Sequence, residues 1–112
     1  MRIYHPDIEK AKDWFEGPWN SDLTISVGYA HQGTQEPHLH KTTTEIYLIA
    51  SGSSIITVEG QKIRLEKGDV IIVEPGEAHS FHSSSEEYFH FVIHAPGLAG
   101  EKAASDKVIL SS

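Results

Sequence analysis

From Leu23 onward the chain breaks into short apolar or alternating runs, each closed by a turn-forming residue. Leu23, Ile25, Val27 and Tyr29 fall on one side while Thr24, Ser26, Gly28 and Ala30 fall on the other, which is the period of a strand and not of a helix. Further runs at Glu45–Ala50, Ser54–Glu59, Lys62–Glu66, Val70–Val73, His79–Ser83 and Tyr88–His94 are separated by Ser51-Gly52, Gly60, Gly68, Pro75-Gly76 and Ser83-Ser84-Ser85. Strands this short and this evenly punctuated predict an all-β sandwich or barrel over residues 23–95. With 112 residues there is room for one core, and one site or one face must carry the function.

The flanks follow other rules. His5-Pro6-Asp7 predicts a short N-terminal helix within residues 1–22: Pro suits a first helical turn, Asp7 and Glu9 suit the positive end of the dipole, and Ile8, Ala11 and Phe15 mark an apolar face. Gly17-Pro18 would end it. After Ala95-Pro96-Gly97 the chain turns small and polar, so residues 96–112 read as a loose tail or, through Val108, Ile109 and Leu110, a returning edge strand.

Composition removes several classes of function. Nine Lys and Arg scattered singly against 16 Asp and Glu, for a formal net charge of -7, offer no patch to follow a phosphate backbone, so no nucleic-acid partner is expected. The absence of cysteine excludes disulfides, thiol catalysis and thiolate zinc sites. The charged N-terminal run lacks the apolar stretch of a signal peptide and no apolar run is long enough for a membrane span, which leads us to expect a cytoplasmic protein with no membrane partner.

Chemistry concentrates in two places. His38-Leu39-His40 follows Pro37, and residues at i and i+2 of a strand project to one face. With 8 His in the chain, this triplet alone carries little weight. If Lys41–Thr44 form a hairpin loop, Glu45 comes to lie opposite His40 on a paired strand. Glu45 would then open the apolar run Ile46–Ile49, where an inward carboxylate is costly unless paired or metal-bound; the alternative is a solvated loop position. The second place is Lys67–His79, which reads as turn, buried strand, turn and a histidine opening the next strand.

These two segments resemble the two motifs of the cupin superfamily. In the first motif, His38, His40, Glu45 and Gly52 match, and Gly33 stands one position closer to His38 than the family's opening glycine. In the second, Gly68, Gly76 and His79 match, while Glu74 and Ser83 stand where Pro and Asn are usual. The stretch from Pro37 to His79 looks most like small stand-alone cupins of the mannose-6-phosphate isomerase type. The resemblance implies a small antiparallel jelly-roll barrel (double-stranded β-helix), and a metal held by His38, His40, Glu45 and His79. Three imidazoles and one carboxylate suit one divalent transition metal, whether Mn, Fe, Ni, Cu, Co or Zn, better than Ca.

Strand parity carries Tyr47, Ile49, Phe81 and Ser83 inward with these residues, either as pocket lining or as ordinary barrel filling. Tyr47 is the candidate catalytic group for proton transfer. His82 falls outward, and Lys62 and Arg64 read as a solvated face. Along the last run, Phe89, Phe91 and Ile93 read as the core face, leaving His90 and His94 with Tyr88 and Val92 on the other; with the histidine face inward instead, one of the two would support a metal ligand or act as a general base, and no role is assigned to His31. Two functions fit: a metal-dependent enzyme acting on a small oxygen-containing molecule (dioxygenase, isomerase, lyase or decarboxylase type), or a non-catalytic module binding a sugar or small acid. A small-molecule ligand and a homodimer are the expected partners, the family often pairing barrels edge to edge.

Overall fold

The structure is a computed structural model and describes residues 1–110. Ten strands and one helix follow in order: β1 (Lys12–Glu16), β2 (Ser26–Ala30), β3 (His38–His40), β4 (Thr44–Ser51), β5 (Ser53–Val58), β6 (Gln61–Glu66), β7 (Val70–Val73), β8 (His79–Ser84), β9 (Phe89–Ala95), α1 (Gly100–Asp106) and β10 (Lys107–Ile109). They build two five-stranded antiparallel sheets, ordered β1-β2-β9-β4-β7 and β10-β3-β8-β5-β6. Among the described residues no ladder joins the two sheets, so the architecture is two facing antiparallel sheets, as in the expected jelly roll, without closure into a continuous barrel.

Every strand expected from Glu45 onward forms within a residue or two of its predicted limits. Alternation then fills the space between the sheets. Along β4, Glu45, Tyr47 and Ile49 point inward; along β8, His79 and Phe81; along β9, His90, Val92 and His94. Ile49, Ile56, Leu65, Phe81 and Tyr88 close one end as an apolar core, all no more than 3% exposed. The opposite end, where β4 and β8 begin and β9 finishes, is polar, and that gradient positions the site.

Two expectations fail, one at the N-terminal flank and one within β8. No N-terminal helix forms: Lys12–Glu16 pairs instead with the open edge of β2, and Ile8, placed on the helix's apolar face, is 78% exposed. A strand edge with free backbone donors and acceptors outbids a short helix that can satisfy few of its own. Phe15 is nonetheless half-buried, set between Tyr4 and Tyr29 with ring centroids 5.4 and 4.9 Å away. The one helix of the described residues is C-terminal, built from Glu, Lys and Ala of the polar tail. Beyond it the returning edge strand does form, β10 pairing with β3 through Lys107↔His40 and Ile109↔His38; Ser111 and Ser112 of the expected tail lie outside the described residues. Finally, the bulge where β8 meets β5 turns Ser83 outward, against its expected parity.

Candidate metal centre

His38 and His40 lie on β3 and are 3% and 9% exposed. Antiparallel pairing of β3 with β8 sets His79 directly opposite His38, with ring centroids 4.3 Å apart. Glu45 arrives from the other sheet. The Lys41–Thr43 connection crosses between the sheets and does not form a hairpin, so His40 and Glu45 meet across the interior and not along a ladder. Glu45 is buried, and its Oε1 lies 3.2 Å from His40 Nε2 and 2.8 Å from His79 Nε2.

The four residues singled out from the sequence therefore converge, and a fifth joins them. His94, the β9 partner of Glu45, places Nε2 3.0 Å from Glu45 Oε2. Two trios, His38–Glu45–His79 and His40–Glu45–His94, each bring their donor atoms within 4.8 Å of one another. The histidine face of β9 is thus the inward one, and the aromatic face taken as core is the outer one, with Phe91 36% exposed and Phe89 against Tyr29. A strand of sheet-spanning length with two bulky faces does not announce which is inside; the ladder position of His94 across from Glu45 does.

The second ring nitrogen of each expected histidine ligand is committed. His38 Nδ1 donates to the Glu36 carbonyl (2.8 Å), His79 Nδ1 to the Glu77 carbonyl (3.0 Å), and His40 Nδ1 to Asp106 Oδ2 (2.9 Å). Those oxygens only accept, which puts the proton on Nδ1 and leaves Nε2 to face the interior, the arrangement that orients histidine towards a cation. Asp106, at the end of α1, also accepts from Thr42 N (2.7 Å) and Thr42 Oγ1 (2.6 Å), pinning the loop that follows His40. Tyr47 donates to Glu45 Oε2 at 2.6 Å.

Electrostatics sharpen the picture. Burial pushes the Glu45 carboxyl up, but the neighbouring His79 and His94 more than reverse this and hold it well below the usual carboxylate range. Burial pushes His79 down while Glu45 more than offsets it, so His79 ends raised. His38, buried without such a partner, falls to about 4 and stays neutral. Glu45 Oε1 and His79 Nε2 are buried and misaligned for a hydrogen bond, leaving both without a partner. Two lone pairs facing each other at this range repel, so the pair calls for a positive charge between them, supplied by a second imidazole proton or by a metal cation. The residues fit a divalent metal: unpaired inward acceptors, a borderline N/O donor set and fixed tautomers.

The cluster opens onto a cavity of about 740 Å3, lined among others by His38, His40, Glu45, Tyr47, His90 and His94. His90 sits deeper; its Nδ1 is 2.7 Å from Tyr88 Oη, and burial lowers it to about 4. His82 is exposed beside Thr57, as its parity predicted, and His31 lies against Phe89, outside the cluster. Lys62 and Arg64 are solvated, Arg64 pairing with Glu66 at 3.0 Å. No helix of the described residues is long and apolar enough to cross a membrane.

Comparison with known proteins places this geometry in context. Residues 26–95 match the family model of the cupin domain. An uncharacterized protein of Streptomyces coelicolor is 35% identical over 77 residues, covering 67% of this chain and 73% of that protein. The pectin degradation protein KdgF of Dickeya dadantii is 32% identical over 69 residues, covering 61% of this chain and 63% of its own length. Among solved structures, the nucleoside dehydratase Pac13 of Streptomyces superposes with a TM-score of 0.70 over 97% of this chain and 92% of its own; at 14% identity that likeness speaks to the fold alone.

Proposed function

The chain belongs to the cupin family, and we propose that it is a small jelly-roll cupin that holds one divalent transition metal through His38, His40, Glu45 and His79 and acts on a small oxygen-containing molecule. The observation that carries this reading is the buried, partnerless pair of Glu45 Oε1 and His79 Nε2, surrounded by histidines whose Nδ1 protons are already spent. A metal bound there would supply a Lewis acid for a substrate oxygen.

The protein's own groups divide the remaining work. Tyr47, the expected proton donor, gives its hydroxyl to Glu45 and so orients the carboxylate. His94 lines the cavity and is less buried than the other inward groups around Glu45, with its side chain 19% exposed, which makes it the group that moves protons to and from a ligand. Val92 and the walls near Phe81 exclude water from the inner end. A dehydration, isomerisation or lyase reaction on a sugar-like substrate is in keeping with the names of KdgF, a pectin degradation protein, and Pac13, a nucleoside dehydratase.

We also propose that a second copy covers the outer face of β7, β4 and β9, where Ile72, Ile46 and Ile93 form one apolar row across the three strands and Val70, Leu48 and Phe91 the next. Light scattering of wild type and Ile72→Glu tests this; a monomeric wild type would dismiss it. The metal reading is tested by elemental analysis of untagged protein purified without chelator, beside the His38→Ala, His40→Ala double variant. Near one equivalent of a transition metal in the wild type and none in the variant supports it. No metal in either, and none taken up on titration, overturns it.

A further inference from the structure

Both tryptophans of the chain stand exposed at the mouth of the cavity that holds the histidine and glutamate cluster. Trp14 lies on the inward face of edge strand β1, 41% exposed, and Trp19 in the following turn, 45% exposed. Their ring centroids are 6.1 Å apart in an edge-to-face arrangement, and the Trp14 ring meets the His94 ring edge-to-face at 4.7 Å. A ring pair reaching from open solvent to the group beside Glu45 is a continuous surface into the site.

Each ring is seated on a glycine. A Cβ at Gly28, the β2 partner of Trp14, would fall 2.7 Å from Trp14 Cε3, and one at Gly17 would fall 2.0 Å from Trp19 Cζ3. Any side chain at either place would lift the indole away. The rings are therefore fixed in position by close backbone approach while their outer faces stay wet, the arrangement of a binding surface rather than of a core. Lys12 lies on the same inward side of β1, its Nζ donating to Thr34 Oγ1 at 3.2 Å with two further protons to offer, and both residues line the cavity.

We propose that Trp14 and Trp19 form a stacking platform for the apolar face of a cyclic sugar or sugar acid whose oxygens reach the His/Glu cluster. An indole face carries negative charge density and attracts the slightly positive C–H groups of a pyranose or furanose ring, while the ring's edge keeps its hydroxyls free for Lys12, Thr34 and the inner site. The cavity, about 740 Å3, lies within the range of small-molecule sites. The proposal rests on the reading of that cavity as a ligand site, but the platform stands apart from the expected metal ligands and can be tested without metal.

The experiment follows the two indole N–H resonances by NMR, in metal-loaded and in chelator-treated protein, on titration with D-glucose, D-galactose, D-xylose and D-glucuronate, with acyclic sorbitol and the sugar-free base uracil as comparisons. Ligand at about 50 mM populates a site of millimolar Kd. The expected result is saturable movement of both resonances with at least one cyclic sugar and none with sorbitol, a weakening of about fivefold to tenfold in Trp14→Ala, and partial recovery in Trp14→Phe. Persistence of the response in chelated protein supports the platform even if no metal site exists. Silence of both resonances with every sugar overturns it, as do response to uracil alone, equal response to sorbitol, or unchanged sugar affinity in a folded Trp14→Ala protein.

Discussion

Replacing Asp106 by Ala tests how the C-terminal helix supports the site. The carboxylate is 5% exposed and accepts from His40 Nδ1 at 2.9 Å, Thr42 N at 2.7 Å and Thr42 Oγ1 at 2.6 Å. Thr42 is exposed, so water recovers both of its donors at little cost. The buried His40 Nδ1–H has no such recourse, and a buried donor left unpaired costs about 1–3 kcal/mol. Adding the loss of charge-assisted bonds and subtracting the relief of a buried carboxylate leaves about 2–3 kcal/mol. For a domain of this size that lowers Tm by about 10 °C. His40 also loses the group that fixes its tautomer, so metal affinity falls about 10- to 100-fold. Differential scanning with and without chelator reads the first effect, and competition against a chromophoric chelator reads the second. Asp106→Asn, which keeps an acceptor for His40, retains more affinity than Ala. A Tm within about 2 °C of wild type together with affinity within about twofold would refute the coupling of helix to site.

Two other perturbations probe different parts of the account. Tyr47→Phe removes the 2.6 Å hydrogen bond to buried Glu45 and lowers stability by about 1.5–3 kcal/mol while metal content stays unchanged; loss of metal would mean that Glu45 cannot ligate without this bond, and unchanged stability would empty the bond of value. Arg2 holds the Glu16 carboxyl down to about 2 through paired hydrogen bonds, against 4.5 when free. Because the folded value is the depressed one, this contribution is present above pH 4.5 and is lost as pH falls towards 2, so the difference in urea midpoint between wild type and Arg2→Ala should be level near neutrality and vanish in acid. A difference independent of pH counts against the ion pair as the anchor of the N-terminal segment.

What the sequence disclosed was local. Strands β4 to β9 are legible because a period of two and a turn residue suffice to mark each, whereas His38, His40, Glu45 and His79 could be grouped only through their resemblance to the cupin motifs, since the hairpin expected between His40 and Glu45 does not form. The N-terminal edge was hidden: Lys12–Glu16 becomes a strand only because β2 offers an open edge, and a Pro-Asp start reads as a helix when no partner is in view. Asp106 was hidden more deeply, since the residue it serves is 66 positions earlier and nothing in a polar Ala-rich stretch announces an acceptor for a histidine. His94 was visible and set on the wrong side. Phe89, Phe91 and Ile93 look like a core, but the outer face of this sheet is apolar too, partly covered by the N-terminal segment, so hydrophobicity does not choose between the faces. A polar group at the end of a strand, in step with a second buried histidine and a buried tyrosine, was the available signal.

The central claim is that His38, His40, Glu45 and His79 are the ligands of one transition metal. The most direct measurement is anomalous diffraction from crystals of untagged protein, collected on either side of the absorption edge of the element that co-purifies or has been titrated in. The account predicts a single interior peak at about 2.0–2.3 Å from the Nε2 atoms of His38, His40 and His79 and from a Glu45 oxygen. A peak elsewhere on the molecule, or an interior without anomalous signal after metal loading, would contradict it.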